Sequence, residues 1–310
     1  MPPSGVPPPA RAAPVGGPAF VTGGAGFVGR HLVAALDGPV LAPPKSELDL
    51  RDAEAVRRAL AAARPGRVFH LAARASVGRS WEDPRSAILD NLETTFNLLE
   101  AVRTEAPAAA VVVACSGEEY GRPARLPLDE RAPLAPQSPY AVSKAACDLL
   151  AGQYAASHGL RVVRTRAFNH AGPGQSDDYV VGTLTRQVAQ AEAAGAVEAE
   201  VRTGNPDSSR DFTDVRDVVR AYVLAADALE PGAYNVCSGR AVSVRELVEL
   251  VRSAARIPVR HELDPARLRA GDVPEVRGSA ERLRAAAGWT PAIPIATTVA
   301  DALDHWRRVL

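Results

Sequence analysis

The sequence predicts a doubly wound parallel α/β fold with a smaller C-terminal α/β lobe that binds substrate. Three observations carry this expectation. A short apolar run, Ala19-Phe20-Val21, leads straight into Thr22-Gly23-Gly24-Ala25-Gly26-Phe27-Val28-Gly29 and then into a helical pattern. Strand-like and helix-like segments alternate from there to residue 164, and such alternation builds a parallel sheet covered by helices on both faces. Residues 110–114 are apolar without a break, as a strand buried on both faces must be.

The elements follow in order. Residues 1–18 are rich in Pro, Gly and Ala and read as a disordered tail. Strands are expected at 19–21, 40–42, 67–71, 110–114 and 160–164. Helices are expected at 30–36, at 53–63 with Asp52 as N-cap, at 91–103 and at 140–158. Beyond Asn169 the rhythm loosens. Helices remain legible at 180–194, 215–229, 243–255, 280–287 and from about 297 onward, with a strand at 234–236. Ser243 and Glu246 stand at capping-box spacing, and Gly288 stops the helix before it. This pattern divides the chain into a dinucleotide-binding domain over 19–170, to which about 210–240 returns, and a lobe made mainly from 171–310.

Composition narrows the function. The 310 residues carry 36 Lys+Arg and 36 Asp+Glu, so no polybasic surface for nucleic acid is expected. Cys115, Cys147 and Cys237 are far apart and form no CxxC pair, which argues against a disulfide framework or a structural zinc and for three reduced thiols. The longest apolar stretch, 106–115, contains Pro107 and is far shorter than the roughly 20 residues a membrane span needs. The first eighteen residues lack the apolar core of a signal peptide. The expectation is a cytoplasmic protein with no nucleic-acid or membrane partner.

Three stretches carry chemistry. Gly23, Gly26 and Gly29 have the spacing of a turn that lets backbone approach a pyrophosphate, with the N–H groups of the next helix facing the phosphates. No acid follows the second strand, where an NAD site usually places one; Lys45 stands there instead. That favours NADP(H) over NAD(H), although a lysine in a surface turn is the plainer reading. Tyr140 and Lys144 are at i and i+4 on a helix, where an ammonium lowers the pKa of a phenol and readies it for proton transfer. Ser116 ends the buried strand, in Cys115-Ser116-Gly117-Glu118-Glu119-Tyr120-Gly121, where open α/β sheets gather their ligands. There it can bond a substrate oxygen or simply cap a turn. Glu118 and Glu119 can act as acid or base, solvated loop acids being the commoner case. His70 and His170 have no partner at ligand spacing, so no metal is expected. Trp81 and Trp289 read as core or loop anchors.

With these stretches in place, the chain from about residue 19 to 308 resembles the extended short-chain dehydrogenase/reductases of the NAD-dependent epimerase/dehydratase family, which act on nucleotide sugars through a Rossmann-type domain. Asp49-Leu50 resembles that family's adenine contact, His70-Leu71-Ala72-Ala73 its segment beside the nicotinamide, and Asn91 its structural asparagine. The segment from Arg166 to Gln175 resembles the one whose asparagine, here Asn169, touches the sugar nucleotide; the stretch containing Arg210 resembles the phosphate-binding one. Within the family the details are closest to reductases of GDP-bound 4-keto-6-deoxy sugars. The SGxEYG turn at 116–121, FNHxGxGQ at 168–175, the segment 76–81 and the run containing Arg269 all match. Ala167 departs from the family's usual proline, and the region of the second strand is short.

The resemblance implies NADPH-dependent reduction of the 4-keto group of GDP-4-keto-6-deoxy-D-mannose to GDP-D-rhamnose. Tyr140 would supply the proton, Ser116 would hold the same oxygen, and Lys144 would tune Tyr140 and hold the nicotinamide ribose. Phe27 and Val28 join the glycines at the cofactor, while Asn169, Arg210 and Arg269 hold the sugar nucleotide. Pairing of the helices at 91–103 and 140–158 would make a homodimer. One alternative is a GDP-mannose 4,6-dehydratase with Glu118 as the base, or another nucleotide-sugar epimerase or dehydratase. A non-catalytic NADP-binding regulator is the other, against which the intact Ser116, Tyr140 and Lys144 speak.

Overall fold

A computed structural model describes residues 16–267 and 273–310. The first fifteen residues of the expected tail, and Arg269, lie outside the described residues.

The first half builds a parallel sheet of six strands. β1 (Ala19–Thr22), β2 (Val40–Leu41), β3 (Arg67–His70), β4 (Ala110–Ser116) and β5 (Val162–Ala167) come from it. The last strand is Gly232–Val236, so the order runs β2, β1, β3, β4, β5 and then this late segment. β1 has β2 on one side and β3 on the other, so the order reverses between β1 and β3, and a crevice opens beyond their carboxyl ends. Side chains alternate across the sheet. Ala19, Val21, Phe69 and Val112 face one core; Phe20, Val68, Val111 and Val113 face the other.

Five helices precede residue 160. α1 (Phe27–Ala35) contributes to the first core. α2 (Ala53–Ala63), capped by Asp52, covers the opposite face. A one-turn α3 (Val77–Ser80) precedes α4 (Pro84–Glu105), which is much longer than the 91–103 expected. Asp83 caps it by accepting the Ser86 N–H, and Pro84 sits in its first turn, where a missing N–H costs nothing. Asn91 is therefore mid-helix and buried. α5 (Pro139–His158) packs along α4, capped by Ser138 and ended by Gly159 with φ +66°.

The second half interleaves two destinations. β6 (Asn169–Ala171), α6 (Val180–Ala193), β7 (Ala199–Thr203) and β8 (Ser209–Asp214) form a separate packing unit. α7 (Val215–Ala228) and β9 (Gly232–Val236) then pack on and extend the first sheet. β10 (Ala241–Ser243), α8 (Val244–Ala254) and β11 (Val259–Leu263) return to the second core. β12 (Glu275–Val276) pairs β8, α9 (Glu281–Ala287) lies against β9, and α10 (Ile295–Val309) closes the second core. The short strands β6, β7, β8, β10, β11 and β12 escape sequence reading because half-exposed runs of two to six residues have no clear period. Asp217 ties the halves together: its Oδ2 accepts the N–H groups of Ala292 and Ile293, both at 2.8 Å. Trp289 is buried there and donates to the Asp217 carbonyl, whereas Trp81 is 62% exposed and lies outside the core.

Candidate active site

The glycine turn follows from close approach. A Cβ on Gly29 would stand 2.1 Å from the Gly23 carbonyl oxygen, and one on Gly23 would stand 2.7 Å from the Ala72 nitrogen. Gly23 also has φ +74°, which favours glycine. Gly26 opens α1 without a side-chain cap, so the first-turn N–H groups face the crevice between β1 and β3. Leu71 and Ala72 form the other wall: their N–H groups bond the Thr22 carbonyl at 3.2 Å and the Thr22 hydroxyl at 3.3 Å. Ala73 continues that wall, half-buried. Bare backbone at Gly23 and Gly29 lets the turn close, and the cradle it makes suits a pyrophosphate.

Beyond it the chain holds the remaining expected contacts in different states. Lys45 is exposed past the end of β2. Asp49 is clamped by Arg51, whose NH2 stands 2.6 Å from it; those bonds hold the Asp49 carboxyl well below the usual range. Leu50 is buried, and Asn97 bonds its carbonyl at 3.0 Å, so the turn is fixed to α4. Val28 packs at the edge of the core. Phe27 stacks on His170, with ring centroids 6.1 Å apart. His31 and Arg30 reach the carbonyls of Pro173 and Gly174. The glycine turn and the 168–175 segment thus form one wall, a contact between distant parts of the chain that periodicity does not reveal.

His70 is buried between two hydroxyls, Thr22 Oγ1 at 2.8 Å and Thr95 Oγ1 at 3.0 Å. Burial, helped by the nearby Lys144 charge, pulls its pKa down to about 3. Asn91 organises the floor. It accepts the Arg74 N–H at 2.7 Å and donates to Ser143 Oγ at 2.9 Å, and Ser143 in turn donates to the Tyr140 carbonyl at 2.7 Å.

Ser116, Tyr140 and Lys144 come together at the carboxyl end of β4. Ser116 is buried, and its hydroxyl both caps the 3-10 turn Gly117–Tyr120 and meets the Tyr140 phenol. Capping the turn and meeting the phenol are therefore compatible at this serine. Lys144 is buried and donates to the Ala114 carbonyl at 2.7 Å. Burial pushes the Tyr140 phenol well above its ordinary value, and it is the Ser116 hydroxyl that opposes the push. The ammonium is turned to a backbone carbonyl of β4.

The two acids of the turn part company. Glu118 is exposed, and its charge reaches Tyr140 and raises the phenol. Glu119 is fully buried, so the solvated reading fails for it. Its signal was present as Ser116-x-x-Glu119, a capping-box spacing, and both halves of the box are made. Beneath it lies Asp148, which the sequence reading missed. Asp148 is eight residues past Tyr140 on the same face of α5, and it takes Arg164 at 2.8 Å and Arg166 at 2.9 Å. Cys115, Glu119 and Asp148 converge to within 4.8 Å, but both arginines already neutralise Asp148, and the cluster reads as an ion-pair network. Asn169 and Arg210 lie on the paired strands β6 and β8, with Asn169 level with Phe212. Arg210 bonds the carbonyls of Ser209 and Val273 at 2.9 and 2.8 Å.

Comparisons with known proteins agree with this arrangement. A family model described as GDP-mannose 4,6 dehydratase matches residues 45–302. The GDP-6-deoxy-D-mannose reductase of Pseudomonas aeruginosa is 38% identical over 294 residues, covering 93% of this chain and 96% of its own. The solved structure of RMD from Pseudomonas aeruginosa complexed with NADPH has a TM-score of 0.86 at 36% identity, over 95% of this chain and 100% of that one. A UDP-glucose 4-epimerase from Thermotoga maritima, solved with UDP-glucose, has a TM-score of 0.85 at 26% identity, over 94% and 99%. Likeness in sequence and fold thus runs along nearly the whole length of these proteins, and the chain belongs to the family described as GDP-mannose 4,6 dehydratase.

Proposed function

We propose that this protein reduces the 4-keto group of GDP-4-keto-6-deoxy-D-mannose with NADPH and yields GDP-D-rhamnose. The observation that carries the reading is Ser116 and Tyr140 in contact at the open end of β4, beside a glycine cradle, in a chain 38% identical to a GDP-6-deoxy-D-mannose reductase. Gly23, Gly26, Gly29, Phe27 and Val28 would hold the pyrophosphate end of the cofactor, and Leu71, Ala72 and Ala73 would line the path to the nicotinamide. Asp49 and Leu50 shape the turn at the adenine end, and the exposed Lys45 would face a ribose phosphate. NADPH, when bound, supplies the hydride.

The chain's own residues supply the rest. Tyr140 gives its phenolic proton to the oxygen on C4 as negative charge develops there. Ser116 donates to the same oxygen and fixes the carbonyl against the phenol. Lys144, one turn on from Tyr140 along α5 and bonded to the Ala114 carbonyl, would place a positive charge at the site. Asn169 and Arg210 orient the sugar and its diphosphate, Arg by its forked donors. The test is NADPH absorbance with freshly made GDP-4-keto-6-deoxy-mannose and, in parallel, with GDP-mannose alone. Loss of NADPH with the keto-sugar only, and a rhamnose product by NMR, is the expected result.

Glu118 favours a second reading. It is exposed on the turn, and its charge reaches Tyr140, which suits a base in a GDP-mannose 4,6-dehydratase. A keto-sugar formed from GDP-mannose without net NADPH loss would establish it. The surface of α4 and α5 supports a homodimer. Leu89 and Phe96 on α4, and Val142 and Leu149 on α5, are spaced seven apart and are 40–63% exposed on paired helices. Three free, buried cysteines suit a cytoplasmic setting, and among the described residues no helix is long and apolar enough to cross a membrane.

A further inference from the structure

The mechanism leaves one buried acid unused. Glu119 Oε1 accepts the Ser116 N–H at 2.7 Å, while Oε2 is buried with no hydrogen-bond partner. The ion-pair neighbour of Oε2 is Arg166 Nε at 3.7 Å, and that nitrogen is already committed to Asp148 at 2.9 Å. The other arms of Arg166 are also taken, one by Asp148 at 3.1 Å and one by the Tyr120 hydroxyl at 3.0 Å. Asp148 thus draws on two guanidinium groups, and Glu119 is left with the weaker share. Two ionised carboxylates this close and this deep repel, so one of them keeps a proton.

We propose that Glu119 is a positioning residue for the reduction. Its carboxyl holds the Ser116 peptide beneath the hydroxyl, and its state of charge governs how readily Tyr140 releases a proton. The proposal rests on the reductase reading above. The groups that face Glu119 are Cys115 and Ser116 from β4, Tyr140, Lys144, Cys147 and Asp148 from α5, Arg166 from β5, and Tyr120 beside it on the turn. Burial, then the charge of Asp148, pushes the Glu119 carboxyl up to about 8. Its neighbours titrate elsewhere: burial pushes the Cys115 thiol and the Tyr120 phenol far up, and the arginines, outweighing burial, hold Asp148 down. Tyr140 is faced by Ser116, Glu118, Glu119 and Tyr179, and a charge on Glu119 raises its phenol further. An acid with a higher pKa gives its proton less readily.

The test compares wild type with Glu119→Gln and Glu119→Leu. Burial and the Asp148 charge raise the Glu119 carboxyl, so wild-type kcat for the keto-sugar is expected to fall on the alkaline side as Glu119 ionises. Glu119→Gln keeps an acceptor for the Ser116 N–H but no charge, so it retains the greater part of neutral-pH kcat and loses the alkaline fall. Glu119→Leu removes the acceptor, and kcat drops roughly tenfold or more at every pH, with KM for NADPH within about threefold. An alkaline fall that persists in Glu119→Gln, or full kcat in a folded Glu119→Leu, overturns the proposal. A second readout needs no turnover: the amide proton shift of Ser116 titrates on the alkaline side in wild type and stays flat in Glu119→Gln. A titrating amide in a protein that reduces no keto-sugar would sink the reductase reading and leave the Glu119–Ser116 coupling standing. A flat amide in wild type sinks the coupling itself.

Discussion

Replacing Gly29 by Ala tests the cofactor cradle at its tightest point. The new methyl would lie 2.1 Å from the Gly23 carbonyl oxygen and 2.7 Å from Gly24 Cα, so α1 has to withdraw by roughly 1 Å to reach ordinary contact. A withdrawal of that size lengthens an N–H···phosphate bond of about 2.9 Å beyond useful range. Loss of one such charge-assisted bond costs about 1.5–3 kcal/mol, or roughly a 10- to 150-fold weaker NADPH complex. Gly26→Ala is the internal comparison, since a Cβ there meets only the Gly23 oxygen at 3.2 Å. It is expected to weaken binding less than about fivefold. NADPH fluorescence titration gives both constants, and thermal unfolding shows that the variants remain folded. Wild-type affinity in Gly29→Ala, or equal losses in the two variants, would refute the placement of the phosphates at this turn.

The other expectations follow from the same geometry. Tyr140→Phe removes the proton donor and should cost about 10²–10⁴ in kcat with little change in NADPH affinity; stopped-flow reduction of the keto-sugar measures it, and an unimpaired variant would exclude Tyr140 as the acid. Asp211 is fully buried and takes Ser238 N, Ser238 Oγ, Gly239 N and Gly278 N at 2.6–3.2 Å. Asp211→Asn turns an amide NH₂ toward donors and should destabilise by about 2 kcal/mol or more in urea unfolding. His70, held neutral in the fold with a pKa of about 3, is protonated first in the unfolded chain. Its contribution is complete above pH 6.5 and is lost as the pH falls from there toward 3, at up to about 1.4 kcal/mol per unit. The unfolding free energy of His70→Gln should therefore vary less steeply over that window than that of wild type. Leu149→Glu, at the most exposed position of the α5 stripe, should leave a monomer in sedimentation if that stripe pairs two copies.

The first half of the fold was legible because its signals are local. A glycine turn, an N-cap at Asp52 and an unbroken apolar strand each announce themselves within ten residues. Ser116, Tyr140 and Lys144 were legible for the same reason, being fixed by strand end and helix spacing. What stayed hidden depends on partners far away in sequence. Glu119 looks like a loop acid until Arg166 and Asp148 close over it. Asp148 looks like a helix-surface carboxylate until two arginines of β5 reach it. Trp81 looks like a core anchor, yet the apolar surface it needs is not brought to it. The bond from Lys144 to the Ala114 carbonyl was not legible either, because helix spacing gives proximity but not the direction in which an ammonium points.

The late arrival of β9 bears on how the protein is made. During synthesis β5 emerges roughly 65 residues before its partner Gly232–Val236, at about 5–20 residues per second. For some seconds a nascent sheet presents the open edge of Val162–Ala167, and everything from β6 to α7 has to leave the ribosome before that edge can be sealed. Fragments ended before residue 236 keep that edge permanently, so they should associate with one another rather than persist as a soluble half. The polypeptide is committed to folding its nucleotide-binding half last at one border, after much of the other half already exists.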